Sequence, residues 1–228
     1  MYYIKTDEEV MFVAAVKFIK VSETSGSYIS ATEKDYQGIV VNGEPLSVST
    51  ENPIPGLKTA ILIDQKDWGE SVLQEYEKFQ LEYNLPLKLE EISMSCREAI
   101  NNGTQVQLSD GTTKQFSYTL EDQSNISEMF TAVMVGATEY PYHADGEDCV
   151  IYSAQDIIAI YSTLTALKTA QTTYHNQLKA YVQSLNNAKD VMAVQYGQEL
   201  TGEYLEKYNQ LMAVAQEQME LILSKLQG

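Results

Sequence analysis

Short runs rich in Val, Ile and Tyr, broken by Gly, Ser and Asn, fill the chain from Met1 to about Asp64 and predict β structure. In Ile39–Val48 the pair Asn42-Gly43 lies between two apolar runs and predicts a tight hairpin, because a type I′ turn needs positive φ at both central residues. Pro45 cannot donate to a ladder and points to an edge strand. A further strand is expected over Thr59–Ile63, after a turn at Asn52-Pro53-Ile54-Pro55-Gly56. From Gln65 to Tyr83 the period becomes helical, with Trp68, Val72, Tyr76 and Phe79 on one face. Leu85-Pro86 should stop this helix, since the residue before proline is pushed out of the α region. A second helix is then expected over Leu87–Ile100, ending at Asn101-Asn102-Gly103.

Next comes alternation on both sides of Asp110-Gly111, which predicts a hairpin over Gln105–Tyr118. Thr119 with Asp122 has the spacing of a capping box and opens a helix over about Leu120–Val135, expected to bury Ile126, Phe130, Val133 and Met134 and to end at Gly136. Tyr140–Cys149 reads as a loop and Val150–Tyr152 as a short strand. Ser153 with Asp156 repeats the capping signature. The long helix behind it carries Ile157, Ile160, Leu164, Leu167, Tyr174, Leu178, Val182 and Leu185, and Asn186-Asn187 marks its end. Gly197 and Gly202 precede a last helix with a heptad-like seam of Tyr204, Tyr208, Leu211, Ala215, Met219, Ile222 and Leu226. A helical hairpin within the chain and an oligomeric coil would each produce that seam.

These patterns describe an α+β chain: a small N-terminal β module, then a helix-rich part with one β-hairpin and long C-terminal helices. Its 228 residues are 44% hydrophobic, enough for a sizeable core. Fifteen Lys and Arg against 32 Asp and Glu give a formal charge of -17, a field that repels phosphate backbones and anionic membranes, so no nucleic-acid partner is expected. The start of the chain is acidic where a signal peptide is basic, and the apolar run Val10–Val16 is too short to span a bilayer, so neither export signal nor membrane insertion is expected. Two cysteines do not make a disulfide framework and suit synthesis in a reducing compartment.

Motifs for nucleophilic hydrolysis, phosphate cradling and HExxH metalloprotease chemistry are missing from the sequence. Asp145-Gly146-Glu147-Asp148 lacks the alternating ligands of a calcium loop and reads as a turn. One constellation stands out: Cys96, His143, Cys149 and His175 are all the cysteines and histidines of the chain. Two thiolates and two imidazoles are a donor set for a tetrahedral structural zinc, which would staple the domain and not catalyse. The alternative makes Cys96 and Cys149 small buried hydrophobes and His143 and His175 partners of nearby backbone.

Three runs carry a resemblance. The first holds Cys96, Ala99, Ile100, Gly103, Val106, Leu108, Asp110-Gly111-Thr112, Phe116, Thr119, Asp122-Gln123 and Asn125; the second is Tyr142-His143-Ala144-Asp145-Gly146 with Cys149, Tyr152-Ser153-Ala154 and Asp156; the third is Thr172-Thr173-Tyr174 with Asn176. Over about Leu85–Leu185 they resemble a domain of unknown function found in tail-fibre and baseplate-region proteins of phages and prophages of Gram-positive gut bacteria. The pattern has cysteine where this chain has His175, and histidine where it has Gln171. Both are zinc-ligand types, so a ligand type is kept at 175 while 171 loses one. The resemblance implies a non-enzymatic structural protein of the tail, baseplate or tail fibre, placed in the virion tail after synthesis in the host cytoplasm. It would bind other tail proteins and copies of itself. The layout expected is a docking β module over 1–64, a linker helix over 65–90, a phage-tail-type α+β domain over 91–187 and a C-terminal helical segment over 188–228. A cytosolic tail-fibre assembly chaperone is the first rival, and a metal-dependent enzyme acting on cell walls the second.

Overall fold

The computed structural model describes residues 1–21, 28–30, 38–49, 51, 53, 54 and 56–225. It shows an α+β protein in two compact units, Met1–Gln80 and Leu81–Gly228. Strand order in the first unit begins with β1 (Tyr2–Lys5), β2 (Val10–Val13), β3 (Lys17–Val21), β4 (Tyr28–Ser30), β5 (Gly38–Val41) and β6 (Glu44–Ser47). The run expected as one strand over Thr59–Ile63 is divided into β7 (Lys58–Thr59) and β8 (Ile61–Asp64). β7 closes a sheet of order β4-β3-β5-β6-β7, whereas β8 joins the sheet β2-β1-β8. Ala60 is the corner: it is buried, and its amide donates to the Ser47 carbonyl. Asn52 and Pro55 of the expected preceding turn lie outside the described residues.

The Asn42-Gly43 hairpin is present, with φ of 50° and 86°, and pairs Val41 with Glu44. Pro45 is not on an edge strand, since β6 runs between β5 and β7. However, β7 pairs only with Leu46 and Ser47, so beside Pro45 it presents no ladder that needs the missing amide. In β1 the period-2 alternation serves two cores. Ile4 packs with Ile39, Val41, Leu46 and Ala60, while Tyr3, on the other face, meets Phe12 with its ring tilted at 57° and 5.4 Å between centroids. Phe12 also meets Trp68, Tyr76 and Phe79, which uses the aromatic stripe read from the sequence. Burial, with a hydrogen bond to Glu75, pushes the Tyr3 phenol up to about 12.

Helix α1 spans Glu70–Asn101 without a break. It starts later than expected because Asp64 caps a 3-10 turn over Gln65–Asp67. It also runs through Pro86, where two helices were expected. Leu81, Leu85, Leu89 and Ile92, spaced by four, four and three, lie against one core, whereas Pro86 and Glu82 sit on the exposed side. Packing of the apolar stripe therefore opposes the cost of about 3 kcal/mol for an interior proline.

In the second unit β9 (Thr104–Gln107) and β10 (Thr113–Phe116) form the expected hairpin, and α2 (Leu120–Met134) follows its capping box. Met129 takes the buried place expected for Met134, which is 43% exposed. The expected Tyr140–Cys149 loop contains a strand, β11 (Glu139–Tyr142), paired with β12 (Val150–Ser153), so the helix-rich part has two hairpins and not one. Pro141 hid β11, and it is tolerated because this two-stranded ladder has only edges. α3 (Ala154–Ser184) then places Ile157, Ile160 and Leu164 in one core with Phe116, Ile126 and Tyr152, and Leu178 and Val182 in a second core with Ile92, Val191 and Val194.

A short helix α4 (Ala188–Ala193) and the last helix α5 (Gly202–Ser224) complete the unit, and α5 packs along α3. The half-buried residues of α5 are Tyr204, Leu205, Tyr208, Met212, Ala215, Met219 and Leu223. Leu211 and Ile222 of the expected seam are exposed, at 40% and 38%, and Leu226 lies outside the described residues. The expected seam is spaced four, three, four, four, three and four, whereas the half-buried line from Tyr204 through Tyr208 steps four, four, three, four and four, so the two part at Leu211 and again at Ile222. Among the described residues, no helix is long and apolar enough to cross a membrane.

Candidate functional site

The four donor residues are used separately. Cys96 is buried on α1, and its thiol donates to the Gln171 carbonyl of α3 at 3.5 Å. One turn away His175 Nε2 meets Ser93 Oγ at 3.1 Å. Ser93 has a single proton, already donated to the Leu89 carbonyl at 2.7 Å, so His175 must be the donor and carries its proton on Nε2. Burial holds His175 below the ordinary histidine range. His143 is exposed; a carbonyl only accepts, so its Nδ1–H donates to Ala144 at 3.3 Å. Cys149 is exposed at the other end of that loop. Among the described residues no three His, Cys, Asp or Glu gather into a group that could hold a metal ion. Cys96 and His175 thus lie one turn apart between α1 and α3, whereas His143 and Cys149 are exposed on the β11–β12 loop.

Motif residues of the resemblance turn out to hold the fold. Asp122 closes the α2 capping box and accepts from Ser117 Oγ and Tyr142 Oη. Asp145 accepts from the backbone and hydroxyl of Ser117, which ties the β11–β12 loop to β10. Asp156 caps α3 through Ser153 and reaches the Ser109 amide at 2.7 Å, fixing the β9–β10 turn to that helix. Burial raises the Asp156 carboxyl, but the hydrogen bonds from Ser153 and Ser109 outweigh it and leave it below the usual range. Gly103 has φ +61°, and a Cβ there would stand 1.8 Å from the Phe116 carbonyl oxygen.

The second core has a polar edge that periodicity could not reveal. Tyr174 Oη donates to the Gln198 carbonyl at 2.8 Å and accepts from the Gly197 amide at 2.9 Å, while Tyr196 Oη donates to Gln171 Oε1 at 2.7 Å. Gln171, where the resembled pattern has histidine, thus holds both Cys96 and Tyr196. Lys88, 4% exposed, donates to Glu91 and to the Val194 carbonyl.

A groove of about 420 Å3 lies between α2 and α3, with Tyr118, Ser127, Thr165, Thr169 and Thr173 on its walls. Tyr118 is 3% exposed, and its nearest polar partner is Thr165 Oγ1 at 3.4 Å. Burial raises its phenol above the ordinary tyrosine value. The sequence signal for this groove was the threonine run on α3, which a search for catalytic and metal motifs passes over.

No curated protein and no solved structure matches the chain. Residues 85–197, a stretch inside the second compact unit that ends at the turn clamped by Tyr174, are similar to a domain of unknown function, DUF4376.

Proposed function

We propose that this chain is a non-enzymatic structural component of a phage or phage-like tail, in the baseplate or tail-fibre region, working through contacts with other tail subunits and with copies of itself. The observation that carries the protein–protein part is the surface of α5. Beside the face that lies on α3, the helix exposes Leu211, Val214, Leu221 and Ile222, at 40%, 53%, 51% and 38%. Positions 211, 214, 221 and 222 fall within one sector of about 100° on a helix of 3.6 residues per turn. Four large apolar residues sharing one exposed face favour a partner surface over scattered surface hydrophobes. The tail assignment rests on the resemblance of Cys96–Asn125, Tyr142–Asp156 and Thr172–Asn176, and the use of Cys96 and His175 in hydrogen bonds between helices is consistent with a structural role.

Mass spectrometry of particles purified from the strain that encodes the chain tests the reading. A fixed copy number per particle is expected, with deletion of the gene leaving defective tails. Defective tails together with absence from the finished particle would favour an assembly chaperone, for which the same α5 face could hold a client. Normal tails after deletion would remove both.

A further inference from the structure

We propose that the chain assembles head to tail, with the exposed face of α5 in one copy seated on the exposed face of α1 in the next. The inference rests on the reading of α5 as a partner surface, and it names the partner. Within the second unit α1 turns Leu81, Leu85, Leu89 and Ile92 toward the core. Its opposite side carries Tyr83, Leu87 and Met94, exposed at 60%, 53% and 58%. These three fall within about 40° of one another on a helix of 3.6 residues per turn. The core is already served by the other stripe, so this second apolar stripe is available to a partner. The stripes on the two helices also match in length: Tyr83 to Met94 covers about 16 Å and Leu211 to Leu221 about 15 Å, at 1.5 Å per residue.

Charge sets the pairing. Beyond its first turn, the exposed sector of α5 holds Lys207, Gln218 and Lys225 as its polar members, while Glu206, Glu217 and Glu220 fall outside it. A basic face stands out in a chain with 32 acidic and 15 basic residues. The corresponding sector of α1 holds Glu90, Glu91 and Glu98 against Arg97. Glu90 is paired with Arg97 at 2.7 Å and Glu91 with Lys88 at 2.8 Å, but both carboxylates are more than half exposed, and exposed pairs are too weak to keep a carboxylate from a second cation. Lys207 and Lys225 sit at equal distances from the middle of their stripe, so two copies of the α5 face would oppose lysine to lysine in either direction. Two copies of the α1 face would oppose carboxylates. Only α5 against α1 brings opposite signs together. Glu98 lies four residues past Met94, and Lys207 and Lys225 lie four residues before Leu211 and after Leu221, so one lysine comes level with Glu98 whichever way the helices run. Because the two faces differ, each copy keeps one of them free, and the contact repeats as a row or closes as a ring.

The test is sedimentation velocity of the purified full chain at rising concentration. The mean mass should climb past that of a dimer, and more steeply at low salt. Leu211→Glu with Leu221→Glu blocks the α5 face, and Leu87→Lys with Met94→Lys blocks the α1 face. All four positions are exposed, so melting temperatures should stay near that of the parent. Each double variant alone should be monomeric. An equal mixture of the two should form a dimer and nothing larger, because one brings an intact α1 face and the other an intact α5 face. The proposal is overturned by a parent chain that stays monomeric at every concentration, by loss of association in only one of the variants, or by a mixture that stays monomeric. Glu98→Lys, a single surface change, covers the case in which the double variants do not fold: it should weaken association severalfold, and unchanged association overturns the proposal as well. The measurement uses the purified chain alone, so a monomeric result removes this contact and leaves the tail assignment to the particle analysis.

Discussion

Lys88 Nζ donates a 2.9 Å hydrogen bond to the backbone carbonyl of Val194, joining α1 to the residue that follows α4. It is the buried lysine of the described residues, and Glu91 supplies its counter-charge one turn along α1. Lys88→Ala strips a buried carbonyl of its donor and leaves a cavity beside the second core. A loss of about 2–4 kcal/mol is expected in denaturant unfolding. An unchanged midpoint would show that the lysine only fills space.

Pro86→Ala should act in the opposite direction. The proline interrupts the backbone ladder of α1 on its solvent side, where its ring contributes nothing to the core. Replacing it restores a bond and a good helix former, so the melting temperature should rise, with an upper limit near the roughly 3 kcal/mol attached to an interior proline. A fall would mean that a bend in α1 at this point is needed by the packing on either side.

Gly103→Ala tests the join between α1 and the β9–β10 hairpin. The added methyl would overlap the Phe116 carbonyl at a backbone angle that L residues rarely adopt. We expect destabilisation of more than about 2 kcal/mol, read as a lower denaturation midpoint. A midpoint equal to that of the parent chain would mean that Phe116 can move.

His175 gives a pH signature. Burial lowers its pKa in the folded chain, so the unfolded chain binds the proton more readily and stability rises with pH between the folded value and about 6.5. The contribution is complete above about 6.5 and is lost as pH falls through the folded value. His175→Gln retains a donor to Ser93 and should flatten the melting temperature over that window. If the slope survives the substitution, another group is responsible.

Metal content tests whether Cys96 and His175, held between α1 and α3, act apart from the exposed His143 and Cys149. Fresh protein should contain zinc well below one ion per chain, and a chelator should leave the melting curve in place. Stoichiometric zinc, with a lower melting temperature after chelation, would support the four-residue staple of Cys96, His143, Cys149 and His175.

Much of the fold was legible because its signals are local. The Asn42-Gly43 and Asp110-Gly111 turns, the capping boxes at Thr119 and Ser153, and the buried Ile157, Ile160, Leu164, Leu178 and Val182 of α3 each depend on a few neighbouring residues, and each forms where the sequence places it. The groove was legible only as a threonine run on a helix, without the neighbour that makes it a cavity. Tertiary structure decided the rest. Pro86 lies inside a helix because Leu81, Leu85, Leu89 and Ile92 around it pack against the distant Leu178, Val182, Val191 and Val194. Lys88 is buried because Val194, far along the chain, offers a carbonyl. Cys96 and His175 are set in hydrogen bonds because α3 brings Gln171 and itself against α1. The sequence by itself determined which residues could cap, turn and face inward, since those choices are set by backbone sterics and periodicity. Which rare side chains meet, and with what partners, was decided only when the helices packed, because contacts between residues far apart leave no mark on either local stretch.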